Sequence, residues 1–104
     1  MSYHVKYSKA AIRDLDRVWE EVFEASKDIE IAEKYLEELL DEVEKRSDYP
    51  KSGSPLYYEN NFTGYYFVVF KAYLAFYRLE KGTMVVDRVL FGKSDYMRIL
   101  RLSC

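Results

Sequence analysis

The segment 62–102 contains three apolar runs and a basic tail: FTGYYFVVF (62–70), YLAFYRLE (73–80), MVVDRVLFG (84–92) and KSDYMRILRL (93–102). The three runs are rich in aromatic and β-branched residues, which predicts strands. A turn at residues 80–83, where Gly82 supplies a positive φ, and another near residues 71–72 join them. The segment therefore predicts an antiparallel meander on which the rest of the chain packs.

An N-terminal strand and two amphipathic helices are predicted before the meander. Tyr3, Val5 and Tyr7 alternate with polar residues, the period-two pattern of a half-buried strand. Apolar residues then recur at three- and four-residue steps in two runs, for which Ser8 and Asp28 are suitable N-caps. The connection between the runs is short, so the helices form an antiparallel hairpin. The exposed face of the first helix is predicted to carry Arg13, Asp14, Asp16, Arg17, Glu20, Glu21 and Glu24.

The outward face of the second helix is strongly acidic. Its acidic residues are Glu30, Glu33, Glu37, Glu38, Asp41, Glu42 and Glu44. A solvated surface explains this pattern, and a negative surface that discourages contact with phosphate is the alternative.

The remaining segments complete an α+β fold. Residues 48–61 contain Pro50, Gly53 and Pro55 and break both periods, which predicts a loop of about a dozen residues. Ser94 is predicted to cap a short C-terminal helix. The sequence thus predicts an N-terminal strand, a two-helix antiparallel hairpin packed on an antiparallel sheet of about four strands, and a short C-terminal helix. The first strand lies beside either the last strand or the third.

Length and composition limit the classes of protein to which the chain can belong. With 104 residues, of which 49% are hydrophobic, the chain can form one core, so residues 1–104 are expected to form a single domain. No apolar run approaches the roughly eighteen residues of a membrane span, and no signal-like segment opens the sequence. Cys104 is the only cysteine, which excludes an internal disulfide. A soluble cytoplasmic protein without a membrane partner is expected.

Charge is unevenly distributed along the chain. Residues 1–52 carry nine Lys or Arg against fourteen Asp or Glu, a net charge of −5, whereas residues 53–104 carry seven against four, a net charge of +3. The sum is −2. Proteins that bind nucleic acid non-specifically are usually more basic, because phosphate neutralisation dominates their affinity. The sequence is therefore a weak candidate for such binding.

Few catalytic arrangements fit this sequence. One histidine, His4, and one terminal cysteine cannot form a metal site, and no cofactor-binding motif or glycine-rich phosphate loop is present. What remains is a basic cluster near the C-terminus with one acid, Asp95, among its members. Such groups can hold phosphate, stabilise a developing negative charge, anchor a protein partner, or simply form a solvated helix end. The cluster consists of Arg88, Lys93, Tyr96, Arg98 and Arg101.

Two adjacent charges interrupt the last predicted strand. Asp87 and Arg88 are too costly to bury without partners. One of them is therefore predicted to face solvent or a site.

The order of these segments resembles the RelE/ParE superfamily of bacterial type II toxin–antitoxin toxins over nearly the whole chain. The most specific parts are A-x-x-D-L at 11–15, Y-x-x-F-Y-R at 73–78 and R-V-L-x-G-x-x-D-Y-x-x-I-L at 88–100. The resemblance implies the toxin of a two-gene module that arrests growth and assembles with a cognate antitoxin, without a cofactor. Members of the superfamily either cleave ribosome-bound mRNA or inhibit DNA gyrase without catalysis.

The resemblance also assigns site residues. In a nuclease, Arg88, Lys93 and Tyr96 would stabilise charge and transfer protons. Two positions depart from the nuclease pattern, because Tyr66 replaces the arginine of G-Y-R and Phe91 replaces the histidine of V-L-H-G. These departures favour the gyrase inhibitor over the endonuclease, and a degenerate toxin that only binds partners is the third hypothesis. Residues expected to bind a target or antitoxin are Tyr66, Arg78, Arg88, Phe91, Arg98 and Arg101.

Overall fold

The computed structural model describes residues 3–102, so Cys104 lies outside the described residues. Two short 3₁₀ turns lie between the second helix and the strand that follows it. The elements are β1 (His4–Tyr7), α1 (Lys9–Ser26), α2 (Ile29–Glu44), 3₁₀ turns at Lys45–Ser47 and Pro50–Ser52, β2 (Ser54–Tyr58), β3 (Asn61–Phe70), β4 (Tyr73–Glu80), β5 (Thr83–Phe91) and α3 (Tyr96–Ile99). The predicted α+β class is confirmed.

Both long helices begin at the predicted caps. The Ser8 hydroxyl accepts a hydrogen bond from the amide of Ala11 at 3.0 Å. The Asp28 carboxylate accepts one from the amide of Glu30 at 2.9 Å. Between the helices, Lys27 adopts a left-handed conformation with φ 58°, which ends α1 sharply. The chain can then reverse into the antiparallel hairpin.

The five strands form one sheet in the order β1-β5-β4-β3-β2. β3, β4 and β5 form the predicted meander, and positive φ angles at Lys81 and Gly82, 41° and 82°, form the tight turn between β4 and β5. β1 lies parallel to β5, opposite residues 83–86. Of the two positions left open by the sequence, β1 takes the one beside the last strand.

The loop predicted at residues 48–61 is wrong in part, since β2 lies within it. β2 is the edge strand paired with β3, and its register shifts between Pro55 and Tyr57. Only Leu56 is buried in this strand. A proline is tolerated at an edge because no neighbouring strand needs its missing N–H. Without alternating apolar residues, β2 gives no strand signal in the sequence.

Hydrophobic residues are buried on both faces of the sheet. The helix hairpin covers one face, where Val18, Leu39 and Tyr77 are fully buried. On the other face Phe76 and Leu90 are buried. Residues of the C-terminal segment cover this second core, namely Tyr96, Met97, Leu100 and Leu102.

The cap of the C-terminal helix is not the predicted residue. The N-cap is Asp95, whose carboxylate accepts from the amide of Arg98 at 3.4 Å. The Ser94 hydroxyl instead donates to the carbonyl of Phe91 at 2.6 Å. Ser94 therefore stabilises the turn that leaves β5, and the helix begins one residue later.

Candidate functional site

A buried carboxylate on α1 holds the arginine that the sequence places at the centre of the candidate site. Asp14 is 1% exposed. It accepts two hydrogen bonds from Arg88, from Nε at 2.7 Å and from Nη2 at 3.0 Å. These bonds raise the pKa of the Arg88 guanidinium, against the opposing effect of burial. The positive charge of Arg88 is therefore compensated by the carboxylate of Asp14.

The prediction that Asp14 lies on a solvent-exposed helix face is wrong, whereas the side chain of Arg17 is 42% exposed. Because β1 pairs only with residues 83–86, no strand of the described residues 3–102 lies beside this edge of β5 beyond that point. Asp14 accepts from the amide of Val89 at 2.9 Å, and Arg17 donates to the carbonyl of Val89 at 3.1 Å. Arg17 also pairs with Asp14 at 3.0 Å. These helix side chains satisfy the backbone groups that a strand would otherwise pair.

A second network lies on the face of the sheet opposite the helix hairpin. Arg78 donates from Nε to Asp87 at 2.7 Å and also pairs with Glu80. The hydroxyl of Tyr65 donates to the same Asp87 oxygen at 2.9 Å. Burial, followed by the bond to Asp87, raises the pKa of Tyr65. Arg78, expected to bind a target or antitoxin, is therefore already engaged by two carboxylates.

The adjacent charges of β5 are thus both paired. The side chains of Asp87 and Arg88 are 19% and 28% exposed. Neither side chain is largely exposed, because Arg78 and Asp14 supply the counter-charges. That one of the two residues faces a site stays a prediction, and Asp87 lines a surface groove.

The C-terminal segment presents the remaining basic residues to solvent. Lys93 and Arg101 are exposed and form no salt bridge within residues 3–102. Arg98 lies 3.5 Å from the carboxylate of Asp95, with both side chains mostly exposed. A pair of this kind contributes little to stability. Tyr96 is half-buried, with its ring centroid 5.2 Å from that of Phe76.

The structure does not gather all the predicted site residues into one place. Tyr66 lies on the helix side of the sheet, where its ring stacks on Tyr77 at 5.6 Å. Phe91 packs edge-on against Tyr73 at 5.8 Å and is 42% exposed. Tyr96 lies on the opposite face. Two of the predicted binding residues are therefore separated by the sheet from Tyr96.

Two residues, Asp14 and Asp87, organise these charges, and the sequence did not reveal the role of either. The sequence showed Asp14 only as a member of the A-x-x-D-L pattern and of the predicted exposed face of the first helix. Asp87 was recognisable as a charged residue within an apolar strand. Its partners, Arg78 and Tyr65, could not be predicted from their spacing in the sequence. Pairing across strands and between a helix and a strand requires the tertiary arrangement.

Within residues 3–102, no group of three or more His, Cys, Asp or Glu side chains is arranged to hold a metal ion. None of the helices in the described part of the chain is long and apolar enough to cross a membrane.

The sequence and the fold were compared with known proteins. Residues 5–96 match a family described as the ParE toxin of the type II toxin–antitoxin system, parDE. No curated protein matches the sequence.

Two solved structures share the fold. The chromosomal ParDE toxin–antitoxin system from P. aeruginosa matches with a TM-score of 0.72 and 16% identity, over 86% of this chain and 96% of that one. The RelBE2 toxin–antitoxin complex from Mycobacterium tuberculosis matches with a TM-score of 0.57 and 23% identity, over 88% of this chain and 99% of that one.

Proposed function

Because the chain belongs to the ParE toxin family of type II toxin–antitoxin systems, we propose that it arrests bacterial growth by binding DNA gyrase without performing a chemical step. The pairing of Arg88 with Asp14 is the observation that carries this proposal. An RNA-cleaving site that relied on this arginine would need its charge to be available to a phosphate in the transition state. Here the Nε and Nη2 groups of Arg88 are already bonded to a buried carboxylate, which leaves fewer donors and less uncompensated charge for a substrate phosphate.

The tyrosines of the sheet support the same conclusion. The phenol of Tyr77 is buried and donates to the carbonyl of Pro50, and burial raises its pKa to about 12. Burial and a hydrogen bond to Glu21 raise the pKa of Tyr73. A general base works best when its pKa lies near the working pH, so these phenols are poorly suited to remove a proton. Phe91, at the position of the superfamily histidine, cannot transfer one.

The alternative is a ribosome-dependent mRNA endonuclease, and the C-terminal segment is the feature that favours it. Lys93 and Arg101 are exposed cations in the same segment as Tyr96. Exposed cations can contact phosphate, and a tyrosine phenol can participate in proton transfer. In that mechanism Arg88 would have to break its hydrogen bonds to Asp14, or contact the substrate while it remains paired with Asp14.

Two assays on the full chain test these alternatives. The purified protein should inhibit supercoiling by DNA gyrase in proportion to its concentration, and induction in cells should produce a DNA-damage response. Transcripts mapped by primer extension after induction should show no codon-linked cuts. Codon-linked cuts without an effect on gyrase would overturn the proposal in favour of the endonuclease. Absence of growth arrest together with an inactive supercoiling assay would indicate the degenerate toxin.

A cognate antitoxin is the proposed partner, with which the toxin forms a hetero-oligomer. The names of both structural relatives refer to toxin–antitoxin systems. Large apolar side chains on both helices are exposed, among them Ile12 at 52%, Ile29 at 55% and Ile31 at 50%. A partner that covers them would remove apolar surface from water. Co-purification with the product of an adjacent small open reading frame, and relief of growth arrest by that product, test this partner.

A further inference from the structure

A charged groove lies on the face of the sheet opposite the helix hairpin, at the end of the molecule away from the C-terminal segment. Its volume is about 640 Å³. β1, the first residues of α1, and the strands and turn of the β4–β5 hairpin form its walls. The charged residues that line it are Lys6, Lys9, Arg78, Glu80, Lys81 and Asp87.

The acidic residues of the groove are already paired with an arginine. Arg78 pairs with both Asp87 and Glu80, and Tyr65 donates a further hydrogen bond to Asp87. This network occupies the only guanidinium that lines the groove. A ligand would therefore meet the lysines first.

The three lysines are exposed, and within residues 3–102 none of them forms a salt bridge. Four cations and two carboxylates give the lining a net charge of 4 − 2 = +2. The whole chain has the opposite sign, with a net charge of −2. Local charge complementarity therefore selects an anionic ligand for this groove.

The lysines follow the line of β1. The amide of His4 donates to the carbonyl of Gly82 at 3.0 Å, which brings the turn that contains Lys81 to the beginning of β1. Lys6 lies within the strand, and Lys9 follows its end. At a rise of about 3.3 Å per residue, the three positions extend over roughly 15 Å. A linear array of this length fits an extended polyanion better than a single compact anion.

We propose that this groove binds an acidic, extended segment of a partner protein, with carboxylates of the segment placed on Lys6, Lys9 and Lys81. Alternate side chains of an extended peptide point to the same side about 7 Å apart, which matches a row of cations. The proposal goes beyond the toxin's action on gyrase, since it concerns a separate surface and holds for either target.

A peptide fits the groove better than single-stranded nucleic acid. Proteins that bind single strands combine cations with aromatic rings on which bases stack. The one aromatic residue of the lining is Tyr7, whose ring packs into the core on the helix side.

Fluorescence anisotropy with the full-length protein tests the proposal. The probe is a labelled peptide of alternating glutamate and serine, compared with a glutamine–serine peptide and with an oligouridylate of similar length. The triple variant Lys6→Gln, Lys9→Gln and Lys81→Gln should bind the acidic peptide about tenfold more weakly, since three surface ion pairs are lost.

A matched triple variant with the same change in net charge controls for long-range electrostatics. Lys34→Gln, Lys45→Gln and Lys51→Gln alter lysines outside the groove and should change the affinity by less than about twofold. Thermal unfolding of both triple variants establishes that they are folded. Three results would each overturn the proposal: equal losses in the two variants, equal binding of the glutamine peptide, or tighter binding of the oligouridylate.

Discussion

Asp14 is the residue on which the pairing of α1 with β5 depends. Its carboxylate is buried and accepts hydrogen bonds from Arg88, from Arg17 and from the backbone of Val89. A buried charge is tolerated only when it is paired and hydrogen-bonded, and this one has four donors. Asp14 is thus a structural residue whatever the target of the toxin.

Asp14→Ala should lower the free energy of unfolding by about 2–4 kcal/mol, since it leaves the partly buried Arg88 guanidinium and the buried N–H of Val89 without an acceptor. Urea denaturation measures this loss. Asp16→Ala removes an exposed carboxylate from the same helix and should cost less than about 0.5 kcal/mol. Similar small losses for the two variants would contradict the role assigned to Asp14.

Two buried phenols provide a matched test of hydrogen bonding. Within residues 3–102 the Tyr7 hydroxyl has no hydrogen-bond partner, whereas the Tyr77 hydroxyl donates to the carbonyl of Pro50. Tyr7→Phe should be neutral or stabilise the protein by up to about 1 kcal/mol, while Tyr77→Phe should destabilise it by about 1–3 kcal/mol. Chemical denaturation of the two variants gives both values, and a loss of equal size for Tyr7→Phe would indicate that its hydroxyl is hydrogen-bonded.

At the scale of elements, the junction between β1 and α1 connects the sheet with the helix hairpin. Ser8 caps α1 through its hydroxyl oxygen and donates the same hydroxyl to the carbonyl of Asp87 at 2.7 Å. The backbone amide of Ser8 donates to the carbonyl of Val86 at 2.9 Å. One residue thus fixes the start of the helix and the end of the parallel pairing.

Ser8→Ala should destabilise the protein by about 1–2 kcal/mol, because it removes both a helix cap and a link to β5. Asp28→Ala removes only the exposed cap of α2 and should cost about 1 kcal/mol or less. Thermal or urea unfolding compares the two. If Asp28→Ala costs more than Ser8→Ala, the bond to Asp87 adds nothing.

The elements differ in how far the sequence predicts them. Both helix caps and the turn at Gly82 follow from local chemistry and are confirmed. β2 was missed, because its single buried residue, Leu56, makes no periodic pattern. The N-cap of the C-terminal helix is Asp95 and not Ser94. Two adjacent residues with capping side chains cannot be distinguished without knowledge of the backbone conformation.

At the scale of the whole molecule, Tyr96 separates the two candidate mechanisms. Tyr96→Phe keeps the ring that packs on Phe76 and removes only the phenol hydroxyl. If the toxin inhibits gyrase by binding alone, growth arrest after induction should be unchanged, because no proton transfer is required. Tyr96→Ala, which also removes the ring, should weaken the packing of the C-terminal segment.

Growth curves and unfolding measurements on both variants complete this test. Loss of growth arrest in a stably folded Tyr96→Phe variant would contradict the non-catalytic mechanism and favour the endonuclease. Arg88→Ala is a poorer test, because it also leaves Asp14 with a buried charge and one remaining arginine partner, Arg17.

The sequence by itself determined the helix hairpin, the meander, the two helix caps and the resemblance to the superfamily, because periodicity, capping and turn chemistry act between residues close in the chain. The tertiary structure decided the parallel pairing of β1 with β5, the burial of Asp14 against Arg88, and the separation of Tyr66 and Phe91 from Tyr96. These features join residues distant in sequence. Alternation assigns residues to two faces of a strand, but only packing decides what covers each face.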